Sequence, residues 1–315
     1  MILTVTPNAA VDKTYRVEGF RLDAVNRPSQ THTVAGGKGI NVSRVYRTLG
    51  GRSVATGFLG GNQGRIVADA LQAEGIDADM VGVQGETRLC IAAVDPTTGT
   101  QTEINESGPD VSPQEITKLF DRVTRLLSQE TFYCVVLSGS LPPGAPPTLY
   151  AELIALARSR QIPAALDTSG EPLQEGLKAR PWMVKPNRFE LETALGKTLS
   201  NRSEVLQAAQ DLLRSGPEVV VVTLGAEGAL AVTAAGAWFA APPPIEFASA
   251  VASGDSFLAA FLWQWTAGDL PADPASALRV ATGAGAANAA VIGAGFCTRA
   301  SILALAHLTD VQQIA

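Results

Sequence analysis

The sequence predicts an α/β protein: a mostly parallel sheet covered by helices on both faces, with a small second sheet beside it. Three observations predict this. Short β-branched runs alternate with segments of helical spacing along most of the chain, the pattern of parallel strands joined by crossover helices. The alternation breaks once, at Leu89–Val94 and Gln101–Ile104, which flank the turn signal DPTTGT at Asp95–Thr100. Apolar residues make up 46% of 315 residues, enough for a large core.

Element by element, Ile2–Thr6 reads as the first strand. Thr14–Val17 and Gln30–Val34 are further strands, and Asn41–Leu49 places Val42, Val45, Tyr46 and Leu49 on one helical side. Ser53–Leu59 is a strand and Arg65–Ala73 a helix. The hairpin follows, then a helix over 113–127 and a strand over 133–138. A helix over 147–159 leads to strands at 162–167 and 182–184. Helices at 187–195 and 203–213, then a strand at 218–223, continue the rhythm. Gly228–Val232 and Ala237–Ala240 are strands, and helices near 255–268, 274–291 and 301–307 finish the chain. The chain is expected to form one α/β domain over 1–315. Its small sheet is inserted in two pieces, about 12–35 and 88–106.

Composition narrows the function. Net charge is −6 without a long basic run, which argues against nucleic acid as a partner. Cys90, Cys134 and Cys297 lack metal-ligand spacing and read as reduced, mostly buried thiols of a cytoplasmic protein. Two histidines, His32 and His307, leave little for a histidine zinc site or a Ser-His-Asp triad. The opening MILTVTPN reads as a strand, not a signal segment, and no apolar run is long enough to cross a membrane.

Five stretches carry candidate chemistry. The first is VASGD at Val251–Asp255, where an acidic residue opens a long apolar helix. The first turn of a helix gathers unpaired N–H groups and a positive dipole end. Small Ala252, Ser253 and Gly254 let a phosphate approach that backbone, and the dipole favours an ionised Asp255. A hydroxyl attacking a phosphoryl group needs a base and such donors together. A helix cap explains the same residues. The second is VAGGKGINVSR at Val34–Arg44, a strand-to-helix turn or a ligand loop, in which Lys38 offers a point charge. It has neither Walker A nor dinucleotide spacing. The third is VKPNRFE at Val184–Glu190: Asn187 and Glu190 suit a capping box or magnesium held through water. The fourth, VTLGAEGA at Val222–Ala229, is a turn between strands. The fifth, ATGAGAANAA at Ala281–Ala290, is a small-residue helix that packs closely or leaves a flat slot.

In this order the pieces resemble the ribokinase-like, phosphofructokinase-B family of sugar kinases, over almost the full length. Within it, MILTVTPNAAVD at Met1–Asp12, VNR at Val25–Arg27, GETR at Gly85–Arg88, TEIN at Thr102–Asn105 and SGSLPPG at Ser138–Gly144 are similar to ketohexose-phosphate kinases of the 1-phosphofructokinase and tagatose-6-phosphate types. The resemblance implies a three-layer α/β/α body with a lid sheet. It implies phosphorylation of a ketohexose monophosphate by ATP, with Mg2+ as cofactor and a monovalent cation left open. It also implies a homodimer formed through the lid sheets. Residue by residue, it makes Asp255 the general base and Ala252, Ser253, Gly254 and Asp255 the anion hole. Asp12, Gly36, Gly37 and Asn41 hold sugar hydroxyls. Lys38 and Arg88, with Arg27, bind the substrate's phosphate, and Ser138 reaches the sugar. Lys185 and Asn187 lie towards the nucleotide phosphates, with Glu190 towards magnesium through water. Thr223, Gly225, Gly228 and Asn288 line the nucleotide pocket. One departure stands out: Ala252 replaces the family's glycine, and alanine is strained there if φ is positive. The alternatives are a catalytically silent sugar-phosphate or nucleotide sensor, or a kinase for an unphosphorylated sugar or nucleoside.

Overall fold

The computed structural model describes residues 1–266 and 273–315. The chain opens with β1 (Ile2–Thr6), β2 (Ala10–Arg16), β3 (Gln30–Gly36) and α1 (Lys38–Thr48). Next come β4 (Ser53–Leu59), α2 (Gly61–Ala73), the short β5 (Asp77–Ala78) and β6 (Val81–Gly82), β7 (Arg88–Asp95) and β8 (Thr100–Asn105). The middle runs α3 (Pro113–Gln129), β9 (Cys134–Ser138), α4 (Leu149–Ser159), β10 (Ala164–Asp167), α5 (Gly170–Lys178), β11 (Met183–Val184), α6 (Arg188–Leu195) and α7 (Arg202–Arg214). The last part is β12 (Val219–Thr223), β13 (Ala229–Thr233), β14 (Gly236–Ala241), α8 (Ser253–Thr266), α9 (Pro274–Ala289), α10 (Arg299–Leu308) and β15 (Asp310–Gln313). The helix expected near 255–268 starts at Ser253, and residues 267 and 268 of that expectation lie outside the described residues.

The main sheet has the order β15-β14-β13-β12-β11-β10-β9-β1-β4-β5, with β6 also on β4. From β12 to β5 the pairings are parallel, and β13, β14 and β15 add antiparallel strands at one edge. Its strands are buried on both faces, and the period of two sorts their side chains. Leu3, Val135, Leu137, Val220 and Val222 face one core. Ile2, Cys134, Val136, Val219 and Val221 face the other. Helix α3 covers the first face through Leu119, Val123 and Leu126, one stripe of helical spacing. A capping box between Ser112 and Glu115, with Pro113 in the first turn, starts that helix. Helices α1, α8, α9 and α10 cover the second face. The result is the expected three-layer α/β/α body with a mostly parallel sheet.

The small sheet has the order β3-β2-β7-β8, with β2 and β3 from one chain segment and β7 and β8 from another. Strand β2 is central: it pairs antiparallel with β3 and parallel with β7. Ala9, Val11 and Ala35 at its inner end pack with Ile40, Val67 and Leu71 of the body. The sheet therefore stands over the C-terminal ends of the body strands, where ligands bind in open α/β sheets. All three cysteines are free, with Cys134 and Cys297 buried and Cys90 half-buried. Among the described residues, no helix is long and apolar enough to cross a membrane.

Candidate active site

A cavity of about 1050 Å³ opens between the small sheet and the body. Strand ends and helix starts deliver its polar groups, so segments far apart in sequence meet there. Asp12 comes from β2, Lys38 and Asn41 from the first turn of α1, and Arg88 from β7. Lys185, Asn187 and Glu190 follow β11. Ala252, Ser253, Gly254 and Asp255 come from the start of α8, and Thr223, Gly225 and Gly228 from the β12–β13 turn.

The glycines before α1 have a local cause. Gly37 is the N-cap at φ 105° and supplies no side-chain cap. A Cβ there would lie 2.8 Å from Thr6 Cγ2. At Gly36 a Cβ would fall 2.1 Å from Asp12 Cγ, in the space the carboxyl occupies. The pair lets β3 turn straight into α1 while Asp12 tucks against the turn.

The α8 loop is held from behind. Ser253 N–H donates to Ala250 O at 3.2 Å, and Ser256 N–H to Ala252 O at 2.9 Å. Ala252 has φ 60°, so the residue that departs from the glycine implied by the resemblance sits in the left-handed region. The backbone N–H is retained at the cost of a crowded Cβ. Lys185 Nζ would lie 3.6 Å from a Cβ at Gly254, which puts an ammonium beside this loop.

A buried carboxylate that sequence reading did not single out organises the cations. Asp167 ends β10, is fully buried, and lies 3.0 Å from Lys38 Nζ and 3.2 Å from Lys185 Nζ. Burial alone would raise its pKa, but Lys185 and Lys38 outweigh that and hold it below the usual range. For Lys38, burial favours the neutral amine, yet Asp167, Glu190 and Asp255 outweigh it and keep the ammonium charged. The usable signal was position: an acidic residue at the C-terminal end of a parallel strand.

Asp255 is 7% exposed and accepts from Asn41 Nδ2 at 2.9 Å. Burial, then the charge of Asp167, raises its pKa to about 6. The helix dipole favours ionisation but does not prevent this rise, so Asp255 is an anion only above that pH. Asp12 is also raised to about 6, first by burial and then by Asp255. Asn187 and Glu190 form the capping box: Asn187 Oδ1 accepts from Glu190 N–H and Glu190 Oε2 from Asn187 N–H, each at 2.8 Å. Glu190 Oε1 remains 3.4 Å from Lys38 Nζ. Among the described residues, no group of three or more His, Cys, Asp or Glu could hold a metal ion. Glu190, without further carboxylates clustered around it among the described residues, suits magnesium held through water rather than in a protein cage.

Four expected residues lie elsewhere. Gly36 is behind the wall, shaping the turn against Asp12. Arg27 is exposed and does not line the cavity. Ser138 is fully buried beneath it, with its hydroxyl unpaired. Asn288 is fully buried: its amide donates to Val251 O at 2.6 Å and Ser253 Oγ at 3.1 Å. It braces the α8 loop, while Thr282, Gly285, Ala286 and Ala289 of the same helix face the cavity. Arg88 donates to Asn8 O at 3.1 Å and Glu106 O at 3.2 Å, and its Nε is buried without a partner.

The cavity brings an acidic residue at a helix start together with two lysines on an α/β sheet, an arrangement suited to holding phosphate groups. The family model for pfkB carbohydrate kinases matches residues 5–301. The chain is 40% identical to 1-phosphofructokinase of Rhodobacter capsulatus over 281 residues, 89% of this chain and 88% of that one. It is 34% identical to 1-phosphofructokinase of Borreliella burgdorferi over 269 residues, 85% and 86% of the two chains. The solved structure of phosphofructokinase-2 from Escherichia coli, in complex with potassium, superposes with a TM-score of 0.89. It is 28% identical and covers 98% of each chain. The chain belongs to the pfkB family of carbohydrate kinases. It is an ATP-dependent sugar kinase related to 1-phosphofructokinase and phosphofructokinase-2.

Proposed function

We propose that this chain phosphorylates a ketohexose monophosphate, fructose 1-phosphate or tagatose 6-phosphate, to the bisphosphate, with Asp255 as the general base. The observation that carries this reading is the placement of Asp255 at the start of α8, inside the cavity that also holds Asp12, Lys38 and Arg88. The acceptor hydroxyl attacks the γ-phosphorus of ATP in line, and Asp255 takes its proton. Base assistance of this kind is worth about 10²–10⁴ in rate. The backbone N–H groups over 252–255 receive the transferring group, with the Lys185 ammonium beside them. Ser253 N–H already closes the turn on Ala250 O, so the donors that remain for the phosphoryl group are those of Ala252, Gly254 and Asp255.

Asp12, Gly37 and Asn41 bind sugar hydroxyls, and Gly36 keeps Asp12 in place. Lys38 and Arg88 meet the phosphate already on the substrate, which Arg suits through paired donors. Asn187, Thr223, Gly225 and Gly228 line the nucleotide side. Glu190 would hold magnesium through water, and the ion would neutralise phosphate charge when bound. Closure of the small sheet as a lid excludes water from the reacting groups. Pairing of these sheets between two copies would give the homodimer. A monovalent cation near the site is proposed from the potassium complex of the Escherichia coli relative.

The test is ADP release from ATP with fructose 1-phosphate, fructose 6-phosphate, tagatose 6-phosphate and free sugars. A ketohexose monophosphate is expected to turn over best, and Asp255→Asn to lower kcat by at least about 10². Binding without bisphosphate formation would instead identify a silent sensor, a reading that rests on the left-handed Ala252.

A further inference from the structure

The guanidinium of Arg44 reaches the base through one intervening side chain. Arg44 is buried on α1, and its Nη1 donates to Asn41 Oδ1 at 2.7 Å and to Ala294 O at 2.9 Å. Its Nη2 donates to Ala35 O at 2.6 Å and Glu74 Oε1 at 3.1 Å, and its Nε to Glu74 Oε2 at 2.6 Å. The ring of Phe296 lies 5.1 Å below the guanidinium carbon. Every nitrogen of the fork is engaged. The partners come from β3, from α1 itself, from the end of α2 and from the segment after α9.

A guanidinium has five N–H donors and no acceptor. The Asn41 atom turned towards Arg44 must therefore be the oxygen. The amide NH2 then faces the other way, and Asn41 Nδ2 is 2.9 Å from Asp255 Oδ2. An amide has two orientations of nearly equal shape, and a neighbour that only donates selects one of them. In the opposite orientation the amide oxygen would face a carboxylate oxygen, with no hydrogen between them.

We infer that Arg44 is a positioning residue for the transfer step: it locks the Asn41 amide so that Nδ2–H donates to Asp255 Oδ2, leaving Oδ1 for the proton of the acceptor hydroxyl. This rests on Asp255 being the base. The donated hydrogen bond favours the ionised carboxylate, against burial and the charge of Asp167, which disfavour it. The charged groups facing Asp255 are Asp12 from β2, Asp167 from β10, Lys38 from α1 and Lys185 after β11. None of them is a hydrogen-bond partner of Arg44. Arg44 also acts on Asp12 through its charge, so the informative variant keeps that charge.

The experiment compares Arg44→Lys, Asn41→Ala and the double variant, with ATP and fructose 1-phosphate, or whichever sugar phosphate turns over. A lysine keeps the charge but cannot fill the four-partner fork. Arg44→Lys is expected to lower kcat about tenfold to a hundredfold, the worth of one hydrogen bond to a charged group. The acid limb of its kcat/KM profile should move up by about one pH unit. The double variant should fall no further than Asn41→Ala, within about threefold, because both changes break one contact. Losses that multiply, or an acid limb that stays in place, overturn the inference. Should Arg44→Lys not fold, Asn41→Leu in the native Arg44 background reads the same contact: its side chain keeps the shape of the amide, adds no charge and cannot donate to Asp255. Its acid limb should rise by at least about one unit, and an unmoved limb overturns the inference. Failure of the base reading shows separately, as Asp255→Asn turning over near the wild-type rate, and removes both proposals.

Discussion

Replacing Asp167 with asparagine tests the electrostatic architecture of the cavity in one step. The side chain is fully buried and lies 3.0 and 3.2 Å from two ammonium groups. Asparagine keeps its shape and removes its charge. Lys185 is 4% exposed and has little access to water, whereas the side chain of Lys38 is 34% exposed and can turn outwards. Removing one partner from a buried ion pair costs about 3–5 kcal/mol. Because Lys38 can relax, the expected loss lies near the lower end, about 3 kcal/mol, measured by urea unfolding. Asp167 is held below its ordinary pKa, so its contribution is present above the unfolded carboxylate value. It is lost as pH falls through the folded value. The stability gap between wild type and Asp167→Asn should therefore close in acid. A second readout is independent of stability. Asp167 is the largest charge raising Asp255, so its removal, with both lysines left unneutralised, should move the acid limb of kcat/KM below about 6. A loss under about 1 kcal/mol, or a limb that moves up, refutes the arrangement.

Three further outcomes follow from the same geometry. In the wild type, kcat/KM should fall below a pH of about 6 as Asp255 and Asp12 take protons; the two carboxylates repel, so their protons bind in separate steps and the limb begins as a single titration, and a profile flat to pH 4.5 would remove Asp255 as the base. Ala252→Gly relieves a residue at φ 60° and should stabilise the protein by about 0.5–1 kcal/mol in urea unfolding, whereas destabilisation would show that the loop does not strain alanine. Arg88→Ala should raise KM for a sugar phosphate about tenfold to a hundredfold and leave KM for ATP in place; an equal rise for both substrates would show a structural role only.

The body was readable because burial on both faces writes long apolar runs into strands such as Val219–Val222, while helices such as α3 carry a clear stripe. Helix α5 was not read. Its segment begins Gly170, Glu171, Pro172, which has the composition of a turn, and few of its residues are buried. Strand β15 was missed because Asp310–Gln313 is polar and joins the sheet at its edge, where no apolar period is required. At the site, most residues singled out within local motifs line the cavity, Arg27, Gly36, Ser138 and Asn288 excepted. Asp167 belongs to none, since one of its lysines lies 129 residues away. The resemblance implied Asn288 as nucleotide-pocket wall, and nothing in its small-residue surroundings says which way its side chain turns. Side-chain packing turned it inwards, onto the backbone of Val251.

Strand β2 is flanked by β3 from its own segment and by β7, which arrives after two helices and most of a domain's first half have been made. An isolated two-stranded hairpin is marginal in water. A nascent or truncated chain ending before Arg88 would thus carry β2 and β3 as an unfinished ribbon, with Asp12 lacking its neighbour in register, Cys90. The small sheet over the cavity is complete only once the second segment has been added, and fragments designed for partial function have to include both halves of that splice.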